Sequence, residues 1–167
     1  MKKFHAAMAL AILALGSGSA FGEEHEATER RGVVLEVGPA VEWGLGDEGK
    51  TKFGPSVALA VTPIEHQLEI EFGVTSLFDH GKADWEGEIV FKKPFELSKN
   101  LELLVGLGPQ WATSSNSFGA VAKLDLVYWK TSQVGVFLEP SYSYAFNREH
   151  EQNFTFKVGL LFALPTR

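Results

Sequence analysis

The chain reads as an all-β protein, a closed eight-stranded antiparallel up-and-down barrel. Three observations predict this. Apolar and polar residues alternate with period two through eight separate runs, short turn-rich segments join them, and one face is free of charge apart from Lys93 and Lys130 at run ends while the other is polar. Period two is the strand period, because successive side chains point to opposite faces.

The runs cover residues 33–45, 52–62, 66–78, 84–94, 101–113, 118–130, 133–146 and 153–164. Between them lie turn residues such as Gly46-Asp47-Glu48-Gly49, Asp79-His80-Gly81, Ser98-Lys99-Asn100, Ser114-Ser115-Asn116 and Asn147-Arg148-Glu149. Connections this short join antiparallel neighbours. Eight such strands can close on themselves, which removes exposed edges. Pro39, Pro55, Pro109 and Pro140 lie inside runs, where each removes a ladder donor, so bulges, bends or shortened strands are expected there.

Side-chain volume decides which face points outward. One face holds Val33, Leu35, Val37, Val41 and Trp43 in the first run, Leu101, Leu103, Val105, Leu107 and Trp111 in the fifth, and equivalent residues elsewhere, with no charge among them. The opposite face mixes Gly and Ala with Glu36, Glu42, Glu69, Glu71, Glu86, Glu88, Lys92, Glu102, Lys123, Asp125, Glu139 and Lys157. An eight-stranded interior barely holds its own side chains, so the bulky set overfills it and the small, charged set fits. The apolar face therefore points outward, as a lipid-spanning barrel requires. The lumen then carries a polar network of nine carboxylates against three lysines, which implies ion pairs together with protonation or hydration of the surplus.

Aromatic placement agrees. With the first strand rising from the periplasm, Trp43, Phe53, Phe78, Trp85, Trp111, Phe118, Tyr142, Tyr144 and Phe154 gather near the external rim, while Phe91, Tyr128 and Phe162 lie toward the other. Aromatic girdles suit the headgroup layer.

The N-terminus carries an address. Lys2 and Lys3, an apolar stretch from Phe4 to Leu15 and the small residues Gly16–Ala20 form the three parts of a secretory signal peptide spanning 1–22, with cleavage after Ala20 or Gly22. The apolar stretch is too short to cross a bilayer as a helix. An acidic periplasmic lead, 23–32, follows, and the barrel occupies 33–165. The 167 residues allow one domain. No cysteine is present, which excludes disulfides, thiol catalysis and a lipoprotein anchor. The formal charge of −6 argues against a nucleic-acid partner.

Segments such as Leu101-Glu102-Leu103-Leu104-Val105-Gly106-Leu107-Gly108-Pro109 and Glu139-Pro140-Ser141-Tyr142-Ser143-Tyr144 resemble those of small eight-stranded bacterial outer-membrane barrels of the OmpA-like and opacity-protein type. That resemblance implies a bacterial outer-membrane location and a monomer in contact with outer-membrane lipid and lipopolysaccharide. It also implies insertion by the barrel-assembly machinery, which reads a terminal aromatic residue in such groups; here Phe162 precedes Ala163-Leu164-Pro165-Thr166-Arg167.

Other motifs point to bland roles. Gly44-Leu45-Gly46-Asp47-Glu48-Gly49-Lys50-Thr51 matches a phosphate-loop pattern, but a strand follows instead of the helix that would meet phosphate, so it reads as a hairpin loop. His80 beside Asp79, His150 between Glu149 and Glu151, and His25 among glutamates read as solvated charge, and no metal or cofactor is expected. Ser114, Ser115, Ser117 and His80 share the external side without the fixed constellation a lipid-modifying enzyme needs. The expected role is structural, supporting the envelope. External-loop binding or a narrow cation-selective pore are the alternatives, and a lipid A-modifying enzyme is the least favoured.

The face assignment has a direct test. Val105→Arg, near the middle of the outward face, is expected to cost about 2–4 kcal/mol of stability in lipid, and Trp43→Arg at the rim clearly less. Urea titration in vesicles measures both, and equal losses contradict the assignment.

Overall fold

The computed structural model describes residues 32–45, 50–79, 81–113, 116–147 and 150–164. The signal peptide, most of the acidic lead, the loop 46–49, His80, Ser114, Ser115, Glu149 and the last three residues lie outside the described residues.

Eight strands follow one another: β1 (Val33–Gly44), β2 (Thr51–Ile64), β3 (Leu68–Asp79), β4 (Lys82–Ser98), β5 (Leu101–Ala112), β6 (Ser117–Trp129), β7 (Val134–Ala145) and β8 (Gln152–Leu164). Each pairs antiparallel with the next, and β1 pairs with β8 to close the barrel. Strands of 12 to 17 residues exceed the roughly 9–11 that cross a bilayer at a tilt. β4 runs four residues past its expected end. β5 supplies partners there, Pro94 to Leu104 and Glu96 to Glu102, and the alternation continues through Phe95 and Leu97. One end of the barrel holds the start of β1 and the finish of β8, here the terminal end. The β1–β2, β3–β4, β5–β6 and β7–β8 hairpins turn at the far end.

The strand faces are sorted as volume demands. Val57, Leu59, Phe72, Val74, Ile89, Leu107, Leu124, Val136 and Leu160 stand exposed on the outside, whereas Glu42, Glu71, Lys92, Lys123, Asp125 and Glu139 are buried within. A period of exactly two holds this sorting, because a one-residue slip would exchange the faces.

Pro39, Pro55, Pro109 and Pro140 shift no register. The β1–β8 register passes from Val37↔Leu160 to Ala40↔Lys157 with no shift, so the ladder omits the pairs around Pro39 and resumes in step. The same holds at Pro55 between β2 and β3, Pro109 between β4 and β5, and Pro140 between β6 and β7. Each proline lacks an N–H to offer, and its ring faces outward where no neighbour is displaced. The register shifts fall near the terminal end, at Val61/Ile64, which brackets Pro63, and at Glu96/Ser98. The inward glycine before Pro39 has its own cause. A Cβ on Gly38 would run into the Val158 carbonyl oxygen, and one on Gly159 into that of Val37, so the two glycines let β1 and β8 approach closely at the closing seam.

Gly38→Ala is therefore expected to lower stability by about 1–3 kcal/mol. Gly87→Ala, where an added Cβ meets nothing within 4 Å, should change it by less than about 0.5 kcal/mol. Chemical unfolding in detergent distinguishes them.

Candidate functional site

Residues of one strand parity face the lumen, and they divide it into three tiers. At the far end, Lys52 Nζ lies 3.2 Å from Glu42 Oε1 and 2.8 Å from Asp84 Oδ2. Thr113 Oγ1 donates to Asp84 Oδ1 (3.1 Å) and Gln110 Nε2 donates to Glu86 Oε2 (2.9 Å). Glu42 is buried, and its second oxygen has no hydrogen-bond partner among the described residues.

The middle tier is a continuous ionic network. Lys123 Nζ donates to Glu71 Oε1 at 2.7 Å and to Glu88 Oε1 at 2.6 Å, and Lys157 Nζ donates to the same Glu88 oxygen at 2.7 Å. Glu139 Oε1 sits 3.0 Å from both Lys123 and Lys157, attracted by charge although neither N–H is aligned on it as a hydrogen bond. Lys92 pairs with the remaining Glu71 oxygen and, at 2.5 Å, with Asp125 Oδ2. Glu36, Glu69 and Glu139 surround the same ammonium at 3.9, 3.9 and 4.0 Å. Glu71 and Glu139 thus bridge lysines contributed by β4 and β6, with β8 joining through Glu139. The three strands are welded together across the lumen by lysines 31 to 65 residues apart in sequence. Ion pairs this deeply buried persist only where several partners replace the lost water.

Toward the terminal end the lumen turns apolar. Val34, Ala60, Leu104, Val127, Phe137 and Leu161 pack as a single cluster, with Trp129 against it. Glu102, also buried, lies beyond Leu104 on β5.

All twelve charged residues expected on the inner face are placed there by the strand parity, and nine of them form the middle tier together. Sequence reasoning omitted Lys52 and Asp84, which sit at run boundaries, and the apolar layer. Parity carried the signal for both, since Lys52 is in step with Ser56, Asp84 with Glu86, and Val127 with Lys123. The aromatic residues expected at the external rim gather at the far end on the outer face, whereas Tyr128 and Phe162 lie near the terminal end. Trp43 stacks on Phe154 with ring centroids 6.0 Å apart, and Phe53 pairs with Phe78 and Trp111 with Phe118 across their ladders. Trp85, Tyr142 and Tyr144 continue the ring, and the Tyr142 hydroxyl donates to Gln152 Oε1 (2.9 Å). His150 is engaged with the Tyr144 hydroxyl at 2.9 Å and stacks on its ring.

No protein-family model matches the chain, and no curated protein matches it in sequence. In fold it is similar to small outer-membrane barrels. Neisserial surface protein A superposes with a TM-score of 0.66 at 13% identity, over 79% of this chain and 97% of that one. Ail, the attachment invasion locus protein of Yersinia pestis, gives 0.59 at 10% identity over 79% and 98%. The N-terminal β-barrel domain of Pseudomonas aeruginosa OprF gives 0.53 at 14% over 77% and 97%. The class defined by fold and interior is the closed, eight-stranded, charge-filled barrel.

Lys123→Met leaves Glu71, Glu88 and Glu139 short of a counter-charge and is expected to cost about 3–5 kcal/mol. Lys52→Met, at a side chain 19% exposed, should cost less. Unfolding midpoints of the two variants in one detergent check the order.

Proposed function

We propose that this protein is an integral barrel of the bacterial outer membrane, with its far end external, and that it supports the envelope through a closed, ion-paired interior without catalytic turnover. The observation that carries this reading is the inverted distribution of polarity. A continuous apolar outer face ringed by aromatics encloses lysines and carboxylates that are almost wholly buried. A soluble protein seldom exposes a contiguous apolar surface of this extent, and lipid is the environment that covers it. The similarity in fold to outer-membrane barrels supports the location, and so does the signal-peptide pattern. Lipid and lipopolysaccharide are the proposed surroundings, the barrel-assembly machinery the proposed partner during insertion, and a monomer the proposed state, since a closed barrel offers no free edge.

The apolar layer from Val34 to Leu161 favours a closed lumen over a pore, because ions crossing it would shed water against side chains that offer no replacement. A second reading, binding at the external face, draws on the exposed Phe146 beside Tyr144 and His150.

Two measurements test the proposal. Folding into lipid vesicles, followed by a heat-dependent gel shift, should give a compact form that converts on boiling. Planar-bilayer recordings should then show no discrete steps. Reproducible cation-selective steps would replace the scaffold with a pore, and failure to insert would remove the membrane reading altogether.

A further inference from the structure

We infer that Lys93 and the ring of Phe95 form a site on the outer wall of the barrel for the phosphate of an anionic glycerophospholipid, in the leaflet at the terminal end. The outward positions of the eight strands hold one charged residue, Lys93 on β4, and all the others are apolar, aromatic or neutral. Its neighbours on that face are Phe91 and Phe95 along the strand and Val105 across the ladder on β5, so it is set in the apolar belt itself. A charge facing lipid is unfavourable unless it reaches the headgroup layer. Lys93 is exposed, and no carboxylate among the described residues pairs with it. Glu96, the nearest acid along β4, belongs to the lumen parity and pairs with His66 Nδ1 at 3.0 Å.

The ammonium leans toward the terminal end. Lys93 Nζ lies 5.3 Å from the centroid of the Phe95 ring, and Phe95 is two residues nearer that end on the same face. The stem therefore runs along the apolar wall and carries its charge out of the belt, as a lysine beside lipid does. On β6, two strands away and on the same outward parity, the exposed Tyr128 marks the headgroup level, because an amphipathic ring settles there. Lys130 stands exposed just beyond it, and Lys99 stands exposed in the turn between β4 and β5. The negatively charged acceptors at that level are lipid phosphates, to which an ammonium offers three donors and a full charge. Three cations on one side of the wall favour a lipid with a net negative headgroup over a zwitterionic one, whose own ammonium they repel.

This site rests on the chain being a lipid-embedded barrel, and the heat-dependent gel shift of the unaltered chain in phosphatidylcholine vesicles tests that separately. Without the shift both readings fall; with it, only the site is at stake. The folded protein in non-ionic detergent is then titrated with phosphatidylglycerol or phosphatidylcholine of matched chains, and bound lipids are counted by native mass spectrometry. The unaltered protein should take its first phosphatidylglycerol about fivefold more tightly than phosphatidylcholine, the gain expected of one lysine at an anionic lipid surface. Lys93→Gln removes a charge from an apolar face, so it should still fold, and it is expected to bring the two lipids level. Lys93→Arg should keep the preference, as should Lys82→Gln at the far end. The inference is overturned if K93Q retains the preference, if the unaltered protein shows none, or if inorganic phosphate at equal concentration displaces the lipid. Chain pairs that K93Q abolishes would also overturn it, by seating a second copy where the lipid is placed.

Discussion

Charge buried without a partner is the constraint on which this barrel turns. A lumen enclosed by eight strands excludes most water, yet this one holds Glu36, Glu71, Glu88, Asp125 and Glu139. Each carboxylate taken from water costs several kcal/mol unless its oxygens regain charged donors. Lys92, Lys123 and Lys157 supply them, and because three lysines serve more carboxylates than their own number, each must be shared. Sharing makes the network continuous and ties β1, β3, β4, β6, β7 and β8 to one another across the lumen, where backbone ladders join only neighbours.

Several other features follow from making room for that network. Long charged side chains fill the middle of a narrow interior, so the positions between them are small: Gly73, Gly106 and Gly159 stand where a Cβ would meet Glu88, Lys92 or Phe137. With the interior filled by charge, the bulky aliphatic residues have only the outer face left to occupy. The outer face in turn sets the environment, since an apolar belt between aromatic rings is stable against lipid and unstable against water. The terminal end repeats the usual logic of a soluble core on a small scale, with Phe137 and Leu161 packed beneath the ionic tier.

Much of this was legible in the chain itself. The eight runs, their order and the division into two faces came from period two, because parity is a local property that survives without any knowledge of partners, and side-chain volume then chose the outward face. The interior charges were legible for the same reason. Their pairing was not: Lys123 meets Glu71 from 52 residues away and Lys157 meets Glu88 from 69, and no spacing encodes distances set by strand stagger around a closed sheet. Of the bulges, bends or shortened strands expected at Pro39, Pro55, Pro109 and Pro140, no bulge forms there; a ladder that drops pairs on one side and keeps its register needs no extra residue.

The sequence by itself determined the alternation, the inside-out sorting of polarity and the export signal pattern, since each depends on residue type and position along the chain. The tertiary structure decided which lysine answers which carboxylate, that Lys52 and Asp84 join the interior, and that an apolar layer underlies the charged one. Those outcomes depend on which strand heights coincide across the lumen, and that is settled only when β1 meets β8 and the register is closed.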